Sequence, residues 1–516
     1  MCPTTTTTTT TTTRQDDQQS TSHASLDCSF EDTPSNQLAE PLLQHDSNLV
    51  VENDGTSDDE EEPPPDFSGL LFYRSIYFLN GLSASTWGRF GVIYYNRVKH
   101  LNPAHIGMLQ GITPILSFVS QPVWGWVADM IQSRKKIYIL TKGCNTVLLL
   151  SLSLKMISSF WSILLVVCGM SFFRSGGVLD AHTLDFLGEN RRGMYGSIRL
   201  WTAISWGLGA VIMGWITDTL GFRWNFGLFG GMMILNLAFI IFGLPARSKS
   251  EQECYERFNE EGSEETDNDN NLHSSHRPKF QVLKDAVLRL PVILWLIEVS
   301  IMGAAIAIVE TFLFVYLQND LNTSTELCGY TVGVTVLLEL PIFHFSDYLL
   351  SKLGHDFLFI ASMLAYSMRV FGYTFLSPET AHWVLALEFL HGITFACMWI
   401  ASIDYAAAIA PKEWSTTVQS TLSTALSCVG GGLGPVLGGL VMNHYGAIFM
   451  FRGMALVVAA TFVVHLFVLL VYKQGHGHFL QHVQNERQSH RPQTDYEAEE
   501  ATICQNPTDE EEQQQS

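Results

Sequence analysis

From Phe67 to Tyr472 long apolar runs alternate with short polar breaks. The runs reach ~20 residues or more, enough for a helix to cross a ~30 Å hydrocarbon core. By that criterion about twelve spans are predicted. They fall near 69–95, 104–128, 137–158, 161–187, 195–217 and 223–245, then 288–318, 328–350, 355–376, 382–409, 415–442 and 447–472. Between the sixth and seventh runs lies "SKSEQECYERFNEEGSEETDNDNNLHSSHRPK", too polar to bury a core. The predicted organisation is a disordered acidic, Thr-rich tail at 1–66, a six-helix half at 67–246, a polar linker at 247–285, a second six-helix half at 286–473 and a disordered tail at 474–516. The expected fold class is an all-α polytopic membrane protein.

Polar residues inside the apolar runs are the exceptions that need a reason. "ALEFLHGITFACMW" (Ala386–Trp399) carries Glu388 and His391 three positions apart, hence on one helix face. A charge at mid-membrane depth costs ~2.5–3.5 kcal/mol on insertion scales. Such a pair is expected to face a watery cavity, the alternative being a satisfied structural pair between packed helices.

Charge sets the orientation. Arg134, Lys135, Lys136, Arg191, Arg192, Arg247, Lys249, Lys352 and Lys412 all follow even-numbered spans. The opposite side has fewer cations, among them Arg97, Lys99, Arg223 and Arg452. The positive-inside rule then places both termini and the linker in the cytoplasm. The net charge of −21 comes mainly from tails such as "DDEEEPPPD" and "DEEEQQQS", and carboxylates count little in that rule.

Composition adds exclusions. Only 15% of the 516 residues are charged and 47% are hydrophobic, which is odd for a soluble protein of this length. The nine cysteines show no CxxC or zinc-like spacing, so neither a disulfide framework nor a metal site is expected. No GxSxG, HExxH or GxxxxGK sits in a suitable context, so the chain is not expected to be an enzyme or to hold a cofactor. The His-rich "GHGHFLQHVQNERQSHRP" could touch metal but reads first as a solvated tail. The expected partners are a small-molecule solute, protons and the lipid bilayer, with no nucleic acid.

The two halves echo each other. "GLGAVIMGWITDTLG" (Gly207–Gly221) and "GLGPVLGGLVMNHYG" (Gly432–Gly446) align without a gap and share four glycines. "GWVADMIQSR" and "FHFSDYLLSK" pair Asp129 with Asp347 and Arg134 with Lys352. One glycine pair alone would mean only close helix packing. Two echoes in matching order, each separated by nearly half the chain, point to duplicated parallel halves.

Span two ends in "QPVWGWVADMIQSRKK", where Gly125, Asp129, Arg134 and Lys135 match the Gly-x-x-x-Asp and basic cluster between spans two and three of the major facilitator superfamily. The chain resembles that superfamily, although Met130 and Gln132 depart from the usual basic residue and glycine, so a different local turn is expected. "VLDAHTLDFL" and "YGSIRLWTAISWGLG" put Asp180 in span four, with Arg199 and Trp206 two turns apart on span five. A carboxylate and a guanidinium in neighbouring spans neutralise each other and form a hydrogen-bonding fork. An indole beside them suits a flat polar–apolar ligand such as a pyranose; the bland alternative is a structural ion pair plus a lipid-facing tryptophan. Arg174 is a further cation without an assigned role.

This set is similar to the lactose permease branch, the oligosaccharide–proton symporters. Glu339, Arg369 and His391 follow in that branch's order, in spans eight, nine and ten. The resemblance implies sugar binding by Asp180, Arg199, Trp206 and His391, and proton coupling by Glu339 and Arg369. The branch carries a proton-releasing glutamate one turn after the histidine, where this chain has Thr394; Glu388, one turn before, is the local substitute. Glu298 and Glu310 in span seven lie outside the matched motifs.

The expectation is therefore a secondary transporter moving a small polar, sugar-like solute by alternating access with proton coupling. A uniporter, a carrier of nucleosides or other solutes, and a non-transporting receptor or scaffold remain the alternatives. "EPLLQH" (Glu40–His45) faintly resembles an acidic dileucine sorting signal, which leaves the plasma membrane and vacuolar membranes both open.

Overall fold

The computed structural model describes residues 67–188, 191, 194–245, 252, 289–410 and 415–489. Outside them lie the tail at 1–66 with Glu40–His45, Arg192, Lys412, the chain beyond 489 and all of the 247–285 linker except Gln252. The described residues from 67 onward belong to one compact unit.

Twelve helices carry the fold, in the order the apolar runs predict. In the first half they are α1 (Phe67–Trp87), α2 (Pro103–Ile131), α3 (Arg134–Ser151), α4 (Phe160–Leu187), α5 (Tyr195–Leu220) and α6 (Phe222–Gly243). In the second they are α7 (Leu290–Asn319), α8 (Thr325–His344), α9 (Ser346–Tyr373), α10 (Ala381–Ile409), α11 (Thr417–Tyr445) and α12 (Ala447–Ser489). Eight of these are long and apolar enough to cross a membrane on length and composition alone. The four that fall short, α1, α2, α3 and α9, are diluted by polar residues such as Lys142, Asn145, His355 and Arg369.

Local chemistry fixes the helix ends. The Asn102 side chain accepts from His105 N–H at 2.8 Å ahead of Pro103, and Ser324 accepts from Leu327 N–H at 3.2 Å. Span eight stops at His344 rather than near 350, and Asp347 opens a short helical piece that kinks at Gly354 (φ 74°) into the rest of α9. The backbone of α12 continues as helix to Ser489.

The sequence repeat is a repeat in space. Gly221 closes α5 at φ 84°, ψ 169°, and Gly446 closes α11 at φ 84°, ψ 168°. That left-handed region is open to glycine without penalty. Gly207 and Gly214 turn α5 toward Val336 and Thr325 on α8, while Gly209 meets Ser85 on α1. Correspondingly, Gly432 and Gly439 turn α11 toward Ile115 and Pro103 on α2, while Gly434 meets Ala304 on α7. α1 thus plays in one half the part that α7 plays in the other.

The α5–α8 and α11–α2 crossings join the halves, and Gly214–Thr325 and Gly439–Pro103 sit toward one end. That end holds the start of α2 and α8 and the finish of α5, α7 and α11. There Arg97 donates to the Gln318 carbonyl at 3.0 Å and Asn319 to Asn96 at 2.9 Å. The Asp218 carboxylate accepts from the N–H groups of Thr325 (3.0 Å) and Glu326 (2.7 Å), so one half caps a helix of the other. Toward the opposite end, Phe118 and Trp126 on α2, Leu200 on α5 and Leu337 on α8 are exposed. The polar contacts between the halves named here gather at the first end.

A side chain at Gly107 would collide with the Pro435 carbonyl across the α2–α11 crossing. Overpacking of that kind costs about 1–3 kcal/mol, which is roughly 5- to 150-fold in a two-state equilibrium. Gly107→Val is expected to open the closed end. Cys328, buried there, should then react faster with an impermeant thiol reagent in a background where the other cysteines are serine. An unchanged rate would show that the crossing does not hold the end shut.

Candidate functional site

Three helices of the second half converge on one buried polar chain. Arg369 comes from α9 near its end, Glu388 and His391 come from α10 one turn apart, and Glu339 comes from α8. The Arg369 guanidinium meets both Glu388 oxygens, Nε–Oε1 at 3.3 Å and Nη2–Oε2 at 3.5 Å, while its Nη1 lies 2.5 Å from His391 Nδ1. The Tyr373 hydroxyl donates to Glu388 and accepts from Arg369 Nε. On the far side of the imidazole, His391 Nε2 is 3.2 Å from Glu339 Oε1. A π-helical turn, Ile393–Cys397, follows immediately and includes Thr394.

Four of the predicted site residues therefore form one continuous path, but not in the watery setting expected for Glu388 and His391. Arg369 is 1% exposed and Glu388 0%. His391 is 3% exposed, and only Glu339, at 18%, is partly exposed. A dry carboxylate is tolerable here because a guanidinium and a phenol hold both its oxygens. Tyr373 was not foreseen, although its place one turn after Arg369 is the helical spacing that could have suggested it.

The first half encloses a cavity of about 340 Å³. Its polar lining includes Asn80, Gln110, Lys142, Asn145, Arg174 and Trp206. The Trp206 indole lies against Gly88, just past the end of α1, where a Cβ would collide with it. Arg174 stands in a break in α4 between Phe160–Phe172 and Gly176–Leu187, which takes it out of the helical ladder. The predicted Asp180–Arg199 fork is not formed. Asp180 accepts instead from the Tyr77 hydroxyl at 2.7 Å, while Arg199 is exposed and makes no ion pair among the described residues.

At the α2–α3 turn, Arg134 lies 3.9 Å from Asp129 and makes its closer contact with Asp185 on α4. Lys135 donates to the Ile241 and Leu244 carbonyls (2.9 and 2.6 Å), capping the end of α6. Gly125 has no neighbour within 4 Å of where a Cβ would stand. The turn itself is the one a glycine would make, for Gln132 adopts φ 49°, ψ 42° despite its side chain. The span-seven carboxylates are engaged elsewhere. Glu298 is 2.7 Å from His465, and Glu310 is 3.1 Å from Arg89 of the other half.

The sequence model of the MFS_1-like family matches residues 73–453, nearly the whole of this helical region. The chain belongs to that family. The maltose permease of Geobacillus stearothermophilus is 22% identical over 396 residues, covering 75% of this chain and 91% of that protein. The uncharacterized transporter YwbF of Bacillus subtilis (strain 168) is 20% identical over 391 residues, covering 74% and 89%. Among solved structures, the nucleoside transporter NupG superposes with a TM-score of 0.62 at 16% identity, over 78% of this chain and 98% of that one. A POT family transporter in complex with 5-aminolevulinic acid gives 0.58 at 14%, over 79% and 98%. At such identities the structural likeness speaks for the fold, which is the major facilitator fold. This MFS_1-like chain is a multi-pass membrane transporter, and the curated relatives named here are transporters rather than enzymes.

Removing one partner of a buried ion pair costs about 3–5 kcal/mol, much of it the stranded charge. Arg369→Met alone should therefore lower the unfolding temperature of the detergent-purified transporter strongly. Combining it with Glu388→Gln should recover most of the loss. Additive losses in the double variant would show that the two side chains do not compensate each other.

Proposed function

We propose that this transporter moves a small polar solute, sugar-like in the first instance, by alternating access coupled to protons. The cross-half contacts gathered at one end support alternation, since the two pseudo-symmetric halves can exchange which end is closed. The basic loops at the opposite end, Arg134, Lys135, Lys136 and Lys352 among them, favour the cytoplasm for that side. The proposed solute site is the first-half cavity with Trp206.

The observation that carries the proton reading is the path Glu339–His391–Arg369–Glu388. Glu339 is its one partly exposed member, so a proton entering or leaving the path does so there. His391, between Glu339 and Arg369, senses either charge state of the carboxylate through its second nitrogen. Glu388 is locked by Arg369 and Tyr373, which makes it the fixed counter-charge rather than the exchanging group. Proton transfer at the partly open carboxylate lets the path change charge without hydrating its interior.

The test uses the full chain in sealed vesicles and a panel of mono- and disaccharides and nucleosides, with and without an imposed pH gradient. Glu339→Gln imitates the protonated acid at constant volume. It is expected to abolish gradient-driven accumulation while sparing solute exchange. A Glu339→Gln protein that accumulates solute like the parent, with uptake indifferent to pH, would make the chain a facilitator.

A further inference from the structure

The first-half cavity carries more positive charge than its surroundings balance. Lys142 and Arg174 both line it, and no carboxylate does. Lys142 is half-buried, and the hydrogen bond it makes is to a neutral acceptor, Asn80 Oδ1 at 3.1 Å. Arg174, exposed in the break of α4, lines the cavity and has no ion pair or hydrogen bond among the described residues. Asp180 is the carboxylate that acts on Lys142, and Tyr77 already holds one of its oxygens. The contrast with the second half is sharp: there each buried cation has its anion in contact, and here two cations share an open space.

An uncompensated charge at membrane depth is costly, and two like charges on one wall cost more. A ligand that brings a negative group removes that cost. We propose that Lys142 and Arg174 bind an anionic group of the transported solute, a carboxylate or a phosphate ester, with Trp206 against the remainder of the molecule. This rests on reading the cavity as the solute site. The two cations suit the task differently. A guanidinium offers a planar fork that takes two anion oxygens at once, while an ammonium supplies three rotatable donors. Asn80, Gln110 and Asn145 then face the neutral part of the solute with amide groups that match hydroxyls.

The backbone agrees with the side chains. Gly176–Leu187 starts directly after Arg174 with no side-chain cap on its first N–H groups, and a Cβ at Gly176 or Gly177 would meet nothing within 4 Å. A broken helix whose second piece begins uncapped at a cavity adds its positive end to the two side-chain charges. About 340 Å³ accommodates a single sugar-sized acid.

The experiment compares D-glucuronate, D-glucose 6-phosphate and D-glucose on the full-length purified transporter, reading affinity from ligand-induced shifts in unfolding temperature. At least one anion is expected to bind about tenfold tighter than glucose. Lys142→Gln and Arg174→Gln should each lower the anion-to-glucose affinity ratio about tenfold. Preference for glucuronate marks a carboxylate site and preference for glucose 6-phosphate a phosphate ester site. Equal binding of all three, no binding of either anion, or a ratio untouched by both substitutions overturns the proposal. Uptake into sealed vesicles separates it from the reading beneath it. Glucose uptake without competition from either anion leaves the carrier standing and removes the subsite. Anion binding lost in both variants, with no probe crossing the membrane, keeps the subsite and removes the carrier.

Discussion

A charge placed in hydrocarbon has to be answered within a few ångströms, and the Arg369–Glu388 contact is where this chain answers that constraint most completely. Both carboxylate oxygens face one guanidinium, Tyr373 closes the remaining gap, and Arg369 Nη1 turns to His391. Since these groups come from α9 and α10, the network also dictates how those helices sit against each other. Glu339 then brings α8 to the same point through His391. A three-helix arrangement is fixed by polar contacts that would each be intolerable alone.

The same constraint divides the labour between the halves. They share a backbone plan down to the matched glycine closures of α5 and α11, but their polar interiors differ. In the second half the buried Arg369 is answered by Glu388 in contact. In the first a cavity has Lys142 and Arg174 on its wall and Trp206 laid against Gly88. Duplicated scaffolds can diverge this way because helix packing depends on small residues at crossings, whereas site chemistry depends on a few side chains between them.

Much of this was legible in the sequence. Apolar run length predicted every helix, and the glycine echo predicted the repeat, because both signals are local and sit in the residues themselves. The buried set Glu339, Arg369, Glu388 and His391 stood out for the same reason: ionisable residues in apolar runs are conspicuous. What each one touches was not legible. Asp180 and Arg199 have the spacing for a pair, yet Tyr77 takes the carboxylate and the arginine turns outward. Tertiary geometry decides such contests, and spacing along one helix says nothing of a third helix. The break in α4 was hidden for a related reason, since "FFRSGG" sits inside an otherwise unbroken apolar stretch. Gln132 is the opposite case, where a departure from glycine suggested a changed turn and the backbone makes the glycine-like turn regardless.

The closed end is built so that it can be undone. Its contacts are a carboxylate capping a helix start, a guanidinium on a carbonyl and an amide pair, with glycine crossings beneath. The neutral amide pair contributes about 0.5–1.5 kcal/mol and each bond to a charged group about 1.5–3, so each single contact is a small step to break. Arg89 ties this end to the buried path. Its Nη2 holds Glu310 across the halves at 3.1 Å, its Nη1 is buried without a partner, and its charge acts on Glu339. One side chain of the first half is thus tied to the second through Glu310.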